Sequence, residues 1–267
     1  MMDQGPGPRP LRVAPPPRPA EHLSARRPRR GVALLPSLFT LGNLFCGYAC
    51  VIYAMRGEFE TAAPFIGIAV ILDMLDGRIA RLTNSTSAFG VEFDSLADVI
   101  SFGVAPAVLA FSWGLSELGQ VGWAAGFIFL SATSIRLARF NVQSSAQVDK
   151  RYFLGMPSPA AAGVVGSTIY AFPELPHGYW QTLAAVAAML VPAALMVSTI
   201  RYRSFKTINL GWGRSYVPLF GFVLLVSFVA TYPKLTLPVL AYAYLVSGFV
   251  ELTVTRMRAR REGRTAA

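Results

Sequence analysis

Eight apolar stretches, at roughly residues 33–55, 60–82, 92–115, 119–142, 158–173, 177–200, 215–232 and 235–256, decide what solvent this chain can fold in. An α-helix rises about 1.5 Å per residue, so crossing a ~30 Å hydrocarbon core takes about 20 apolar residues. Most of the stretches reach that length, while the fifth and seventh are short. Charged residues make up only 14% of the chain, against about 25% in a soluble domain, and mean hydropathy is +0.47. The expected fold is all-α: a polytopic membrane bundle of about eight transmembrane helices, both termini cytoplasmic.

The charge pattern carries the topology. With the N-terminus inside, every one of the 24 Lys and Arg except Arg56 and Lys234 falls in a cytoplasmic connection or tail. Cytoplasmic excess of Lys and Arg is what orients membrane proteins, and removing or adding one helix would scramble the pattern. The same distribution argues against nucleic acid as the reason for the net charge of +10, because the basic residues sit in short clusters between apolar segments. Residues 1–31 read as a disordered basic arm rich in Pro and Arg, 32–257 as the membrane domain and 258–267 as a basic cytoplasmic tail. The first apolar stretch is too long for a signal peptide and reads as a span. Cys46 and Cys50, one turn apart within it, read as small apolar residues on a buried helix, and His22 and His177 are too scattered to build a zinc site.

Against this background, "DMLDGRIARLTNSTSAFGVEFDSLAD" (73–98) is anomalous, with Asp73, Asp76, Asp94 and Asp98 at or just below the cytoplasmic interface. An Asp at the centre of a membrane helix costs about 2.5–3.5 kcal/mol, and less near the interface. Asp73 and Asp76 are i and i+3 on one helix, Asp94 and Asp98 i and i+4 on the next, so each pair projects from one face. Two such faces in contact make a four-carboxylate cage. All-oxygen ligands suit hard divalent cations such as Mg²⁺ or Mn²⁺, and four carboxylates with an open side suit two metals facing a phosphorylated ligand.

Gly77 and Gly90 accompany the acids, and a helical Gly costs ~1 kcal/mol relative to Ala. Close approach of a ligand, small-residue packing and, for Gly90, a loop-to-helix turn are the candidate reasons. Arg81 reads as a phosphate contact beside such a cage, or as a snorkelling anchor. A purely structural ion-pair network fails on stoichiometry, since four acids face only Arg78 and Arg81 while Glu92 adds negative charge.

Written as D-x-x-D-G-x-x-A-R, eight residues, then G-x-x-x-D-x-x-x-D, the stretch resembles at every fixed position the signature of the CDP-alcohol phosphatidyltransferase family: Asp73, Asp76, Gly77, Ala80, Arg81, Gly90, Asp94 and Asp98. "LLPSLFTLGNLFCGY" (34–48), "SIRLARFNV" (134–142) and "YFLGMPSPAAAG" (152–163) look like the bacterial and archaeal branch that makes phosphatidylserine. The resemblance implies a helical enzyme of a prokaryotic cytoplasmic membrane, its active site facing the cytoplasm, that moves a phosphatidyl group from CDP-diacylglycerol to L-serine and releases CMP. It implies two divalent metals on the four aspartates, with Asp98 doubling as general base. Gly77, Ala80, Arg81, Ser87 and Gly90 would serve the nucleotide and its phosphates. Thr40 and Asn43 match family positions near the nucleotide, and read equally as interhelical hydrogen bonds. A homodimer among membrane lipids is implied as well.

Arg136 and Arg139, one turn apart, with Asn141 following, offer a bidentate contact for a serine carboxylate or positive-inside anchoring. Ser158, in a Pro-broken helix entry, is either an acceptor contact or a cap. Another acceptor alcohol (glycerol phosphate, inositol phosphate or choline) is the alternative within the family. A divalent-cation transporter is the alternative outside it, although no internal repeat is visible and the acids lie near one membrane face.

Overall fold

The computed structural model describes residues 34–83, 87–145, 152–176, 178–203 and 217–265. The basic arm, His177 and the basic residues Lys150, Arg151, Lys206 and Arg214 lie outside them. Each of the eight apolar stretches is helical: α1 (Leu34–Met55), α2 (Phe59–Leu82), α3 (Ala88–Val99) with α4 (Ala105–Trp113), α5 (Gln120–Ser145), α6 (Ser158–Ala171), α7 (Tyr179–Val197), α8 (Val217–Thr231) and α9 (Pro233–Thr265). Among the described residues, five helical segments are long and apolar enough to cross a membrane: Pro36–Met55, Ala88–Trp113, Gln120–Val142, Tyr179–Val197 and Pro233–Val250. α2 has the length but carries Asp73, Asp76, Arg78 and Arg81 in its last ten residues. α6, at 14 residues, rises only about 21 Å.

Small side chains bring the helices together. Ala49, Cys50 and Ala54 of α1 and Ala62, Ala63 and Ala69 of α2 are buried, so the two backbones can approach closely, as lipid-embedded interfaces require. Gly57, at φ +76°, makes the tight turn between them, with its N–H on the Ala54 carbonyl at 3.0 Å. Both cysteines are free and buried, as expected of small apolar residues.

The stretch expected as one helix over 92–115 starts earlier, at Ala88, and is interrupted by a π turn at Ile100–Val104. Gly47 of α1 sits against that turn: a Cβ there would fall 2.6 Å from Ser101 Oγ and 2.9 Å from its Cα. Beyond it, α4 buries Ala105, Leu109, Ala110 and Trp113 in the core. The Trp113 indole N–H donates to the carbonyls of Phe172 and Glu174, at 2.9 and 3.0 Å, fastening the far end of α6.

One departure from helix stands among the described residues, a two-stranded antiparallel ribbon of β1 (Tyr152–Leu154) and β2 (Arg201–Arg203) in the register Tyr152↔Arg203, Leu154↔Arg201. Three-residue strands lie below what apolar periodicity can reveal. Gly155 ends β1 at φ +81°, where a Cβ would lie 2.3 Å from the Met196 carbonyl oxygen. The ribbon ties the α5–α6 and α7–α8 connections together at the end of the bundle that holds the aspartates. α8 touches mainly α9, and its side chains from Leu219 onward are almost all exposed, as suits a lipid-facing helix.

Glycine contacts give a direct test of the α1 interface. Gly47→Ala should destabilise the folded protein by about 1–3 kcal/mol through overpacking against Ser101. Gly67→Ala, with nothing within 4 Å of the new methyl, should be neutral or stabilising by up to ~1 kcal/mol. Thermal unfolding of both variants in detergent checks the contrast; equal midpoints would show that α1 does not rest on the π turn.

Candidate active site

The acids come together where α2 and α3, each packed against α1, turn their aspartates towards one another. One carboxylate oxygen from each of Asp73, Asp76 and Asp94 lies within 4.8 Å of the others. Asp98, one turn further along α3, stands outside this trio. Asp76 and Asp98 are buried at 4% and 8% exposure, while Asp73 and Asp94 are half-buried. Three carboxylates this close repel one another and call for compensating positive charge.

α1 supplies neutral hydrogen bonds to the acids. The Thr40 hydroxyl, fully buried, donates to Asp76 Oδ2 at 3.1 Å and shares the Pro36 carbonyl at the same distance. Asn43, wholly inaccessible, donates from Nδ2 to Asp98 Oδ1 at 3.2 Å. Its backbone carbonyl accepts from Ser101 Oγ at 2.9 Å, and Ser101 is itself fully buried. Sequence reasoning missed Ser101; its position three residues past Asp98, inside an apolar run, is the signal that could have found it.

The other predicted residues divide into groups. Ser87 caps α3, its Oγ accepting from the Gly90 N–H at 3.0 Å, and a Cβ on Gly90 would sit 3.1 Å from that oxygen. Gly90 therefore serves the helix start. Gly77 differs: it is exposed, and a Cβ there would meet only Arg81 Nη2, at 3.9 Å. No helix packs on it among the described residues, although a glycine there costs α2 about 1 kcal/mol relative to Ala. Ala80 is half-buried and Arg81 exposed on the same end of α2.

Across the site, Arg136 Nη1 donates to Ser158 Oγ at 3.1 Å, joining α5 to the start of α6. Arg136 lies within electrostatic reach of Asp98, Asp73 and, from α9, Tyr244. No motif marked Tyr244 in the sequence. Asn141 donates to Ser95 Oγ at 2.9 Å, which bolts α5 to α3 between Asp94 and Asp98, and Arg139 is half-buried one turn from Arg136. The structure thus brings Asp73, Asp76, Asp94, Asp98, Thr40, Asn43, Arg136 and Ser158 into one neighbourhood.

The donor set fits a hard cation. Three carboxylates offer oxygen only, and Asp94 Oδ1 is buried without a hydrogen-bond partner among the described residues. An anionic acceptor with no donor nearby is what a divalent ion would satisfy.

Comparison with known proteins agrees with this geometry. The model of the CDP-alcohol phosphatidyltransferase family matches residues 33–200. The CDP-diacylglycerol–serine O-phosphatidyltransferase of Helicobacter pylori is 40% identical over 223 residues, covering 81% of this chain and 90% of that protein. The enzyme of the same name from Mycobacterium leprae is 34% identical over 70% of this chain and 64% of its own length. The archaetidylserine synthase of Methanothermobacter thermautotrophicus is 34% identical over 63% of this chain and 69% of its own. With its signature residues converging on one acidic site, the chain belongs to the CDP-alcohol phosphatidyltransferase family.

Proposed function

We propose that this protein transfers the phosphatidyl group of CDP-diacylglycerol to the hydroxyl of L-serine, giving phosphatidylserine and CMP. The observation that carries the reading is the Arg136–Ser158 pair beside the aspartates: a cation placed for an acceptor carboxylate, in a chain whose relatives bear that enzyme's name. The setting is the cytoplasmic membrane of a prokaryote, with eight spans, both termini inside and the aspartates on the cytoplasmic side. The near-absence of Lys and Arg from the opposite connections supports this orientation. The homodimer implied by the family resemblance belongs to the same reading.

Asp73, Asp76, Asp94 and Asp98 would hold two Mg²⁺ or Mn²⁺ ions. When bound, the ions supply the positive charge that neutralises the pyrophosphate, polarises its phosphorus and stabilises departing CMP. Gly77 leaves the α2 backbone open to the nucleotide, and the exposed Arg81, with Ser87 at the α3 cap, faces its phosphates. Thr40 keeps the Asp76 carboxylate in one orientation. Asp98 takes the proton from the serine hydroxyl as its oxygen attacks, in line, the phosphorus attached to diacylglycerol. The bond from that phosphorus to the CMP oxygen breaks in the same displacement, so the transfer is sequential and passes through no phosphatidyl-enzyme.

CMP release from CDP-diacylglycerol by the purified protein, with L-serine, glycerol phosphate, inositol phosphate and choline in turn, tests the acceptor. Serine alone should support turnover, and release with another alcohol but not serine would overturn the reading. Asp98→Asn should lower kcat by about 10²–10⁴-fold, the usual worth of a general base, while CDP-diacylglycerol still binds. Removing divalent ions with a chelator should abolish release, and adding back Mg²⁺ or Mn²⁺ should restore it.

The orientation is checked separately, by adding single cysteines and an impermeant thiol reagent to intact cells. Arg56→Cys and Lys234→Cys should be labelled from outside and Arg78→Cys should not. The buried Cys46 and Cys50 leave a silent background.

A further inference from the structure

Three buried side-chain atoms lack a hydrogen-bond partner among the described residues: Asp94 Oδ1, Asn43 Oδ1 and Arg136 Nε. Asp94 belongs to the carboxylate trio, where a divalent cation would satisfy it. The other two are an acceptor and a donor: Asn43 is hydrogen-bonded to Asp98, and the Arg136 guanidinium lies within electrostatic reach of it. In the structure the Asn43 amide turns Nδ2 to Asp98, and its carbonyl oxygen is the end left over. An ionised Asp98, the form that acts as a base, only accepts and therefore keeps this orientation.

Burying a polar group without a partner is costly, and in a membrane bundle no bulk water makes up the loss. Such orphans beside a reacting group mark where a substrate's own polar atoms complete the set. An amide oxygen matches an ammonium, and a guanidinium N–H matches a carboxylate. Arg136 is already held by Ser158 through Nη1, which fixes the plane in which its Nε–H points. We infer that Asn43 Oδ1 and Arg136 Nε form a two-point receptor for a zwitterionic acceptor, the amide taking its α-ammonium and the guanidinium its α-carboxylate, so that the β-hydroxyl between them falls to Asp98. The inference rests on serine being the acceptor, and it moves Asn43 from the nucleotide to the acceptor side of the site. It also gives a reason for selectivity: inositol phosphate and glycerol phosphate have no ammonium for Asn43, and choline has no carboxylate for Arg136 and no N–H to donate.

The test uses truncated acceptors against the full-length protein: ethanolamine, which lacks the carboxylate, and 3-hydroxypropanoate, which lacks the ammonium. Each is measured as an acceptor, or as a competitor of L-serine where it is not turned over. For the wild type, each truncation should weaken apparent binding by about 10- to 100-fold, as expected for a lost hydrogen bond to a charged group. Arg136→Gln should raise the KM for serine by a similar factor while leaving the constant for ethanolamine unchanged. Asn43→Ala should raise the KM for serine and leave that for 3-hydroxypropanoate unchanged, whatever it does to kcat through Asp98. A merely structural role would shift all three compounds alike, and that pattern, or a wild type indifferent to the truncations, overturns the receptor while leaving serine transfer standing. Absence of serine-dependent CMP release from the wild type overturns both together. The wild-type comparison needs no variant to fold.

Discussion

The structure turns on the grip of α1 upon the two helices that carry the acids. Thr40, Asn43 and Gly47 recur at i, i+3 and i+7, so they lie along one stripe of α1. Thr40 reaches Asp76 on α2, Asn43 reaches Asp98 on α3, and Gly47 lets the Ser101 backbone come close enough for Ser101 to hold Asn43. A residue larger than glycine at position 47 would lift α1 from the π turn and lengthen every polar contact above it. Close backbone approach is thus the condition for the acid site, and small residues throughout the α1–α2 interface provide it.

The same constraint explains the π turn. α3 must present Asp94 and Asp98 to α2 and α1, while α4 must bury Leu109, Ala110 and Trp113 among α2, α5 and α6. A wider turn between them resets the rotational phase without breaking the span, a use of π bulges common near functional sites. Ser101 sits in that turn and spends its hydroxyl on the neighbouring helix, so the phase change and the brace for Asn43 are one feature. At the other end of α4, the Trp113 indole bridges two carbonyls after α6 and fixes the tilt of the helix that begins with Ser158.

Much of this could be read from the residues. The eight apolar stretches are helical, and the aspartate spacing on two adjacent helices brings three carboxylates within reach of one another. Those features are local: hydropathy and i, i+3 or i, i+4 geometry need no knowledge of neighbours. What escaped depends on partners distant in sequence. The loop-to-helix turn weighed for Gly90 is a local feature and is present, whereas the open space around Gly77 shows only once the helices are packed. The bond from Asn141, read as an acceptor contact, to Ser95 Oγ, which joins α5 to α3, has no sequence signal either. The π turn, the β1–β2 ribbon and Tyr244 leave no periodic trace at all.

Polar residues on α1 posed a real ambiguity, between contacts to a ligand and bonds between helices, and the answer differs for the two atoms of a single side chain. Asn43 Nδ2 is spent on Asp98, a bond between helices. Asn43 Oδ1 has no partner among the described residues, in a place where an unsatisfied acceptor is costly. In water such an atom would carry little information, since solvent would cap it. Within a bundle that lipid surrounds, the count of satisfied and unsatisfied polar atoms becomes a description of the missing substrate. Here that count leaves, besides the Asp94 oxygen, one acceptor on Asn43 and one donor on Arg136, the pair that a hydroxylated α-amino acid would answer.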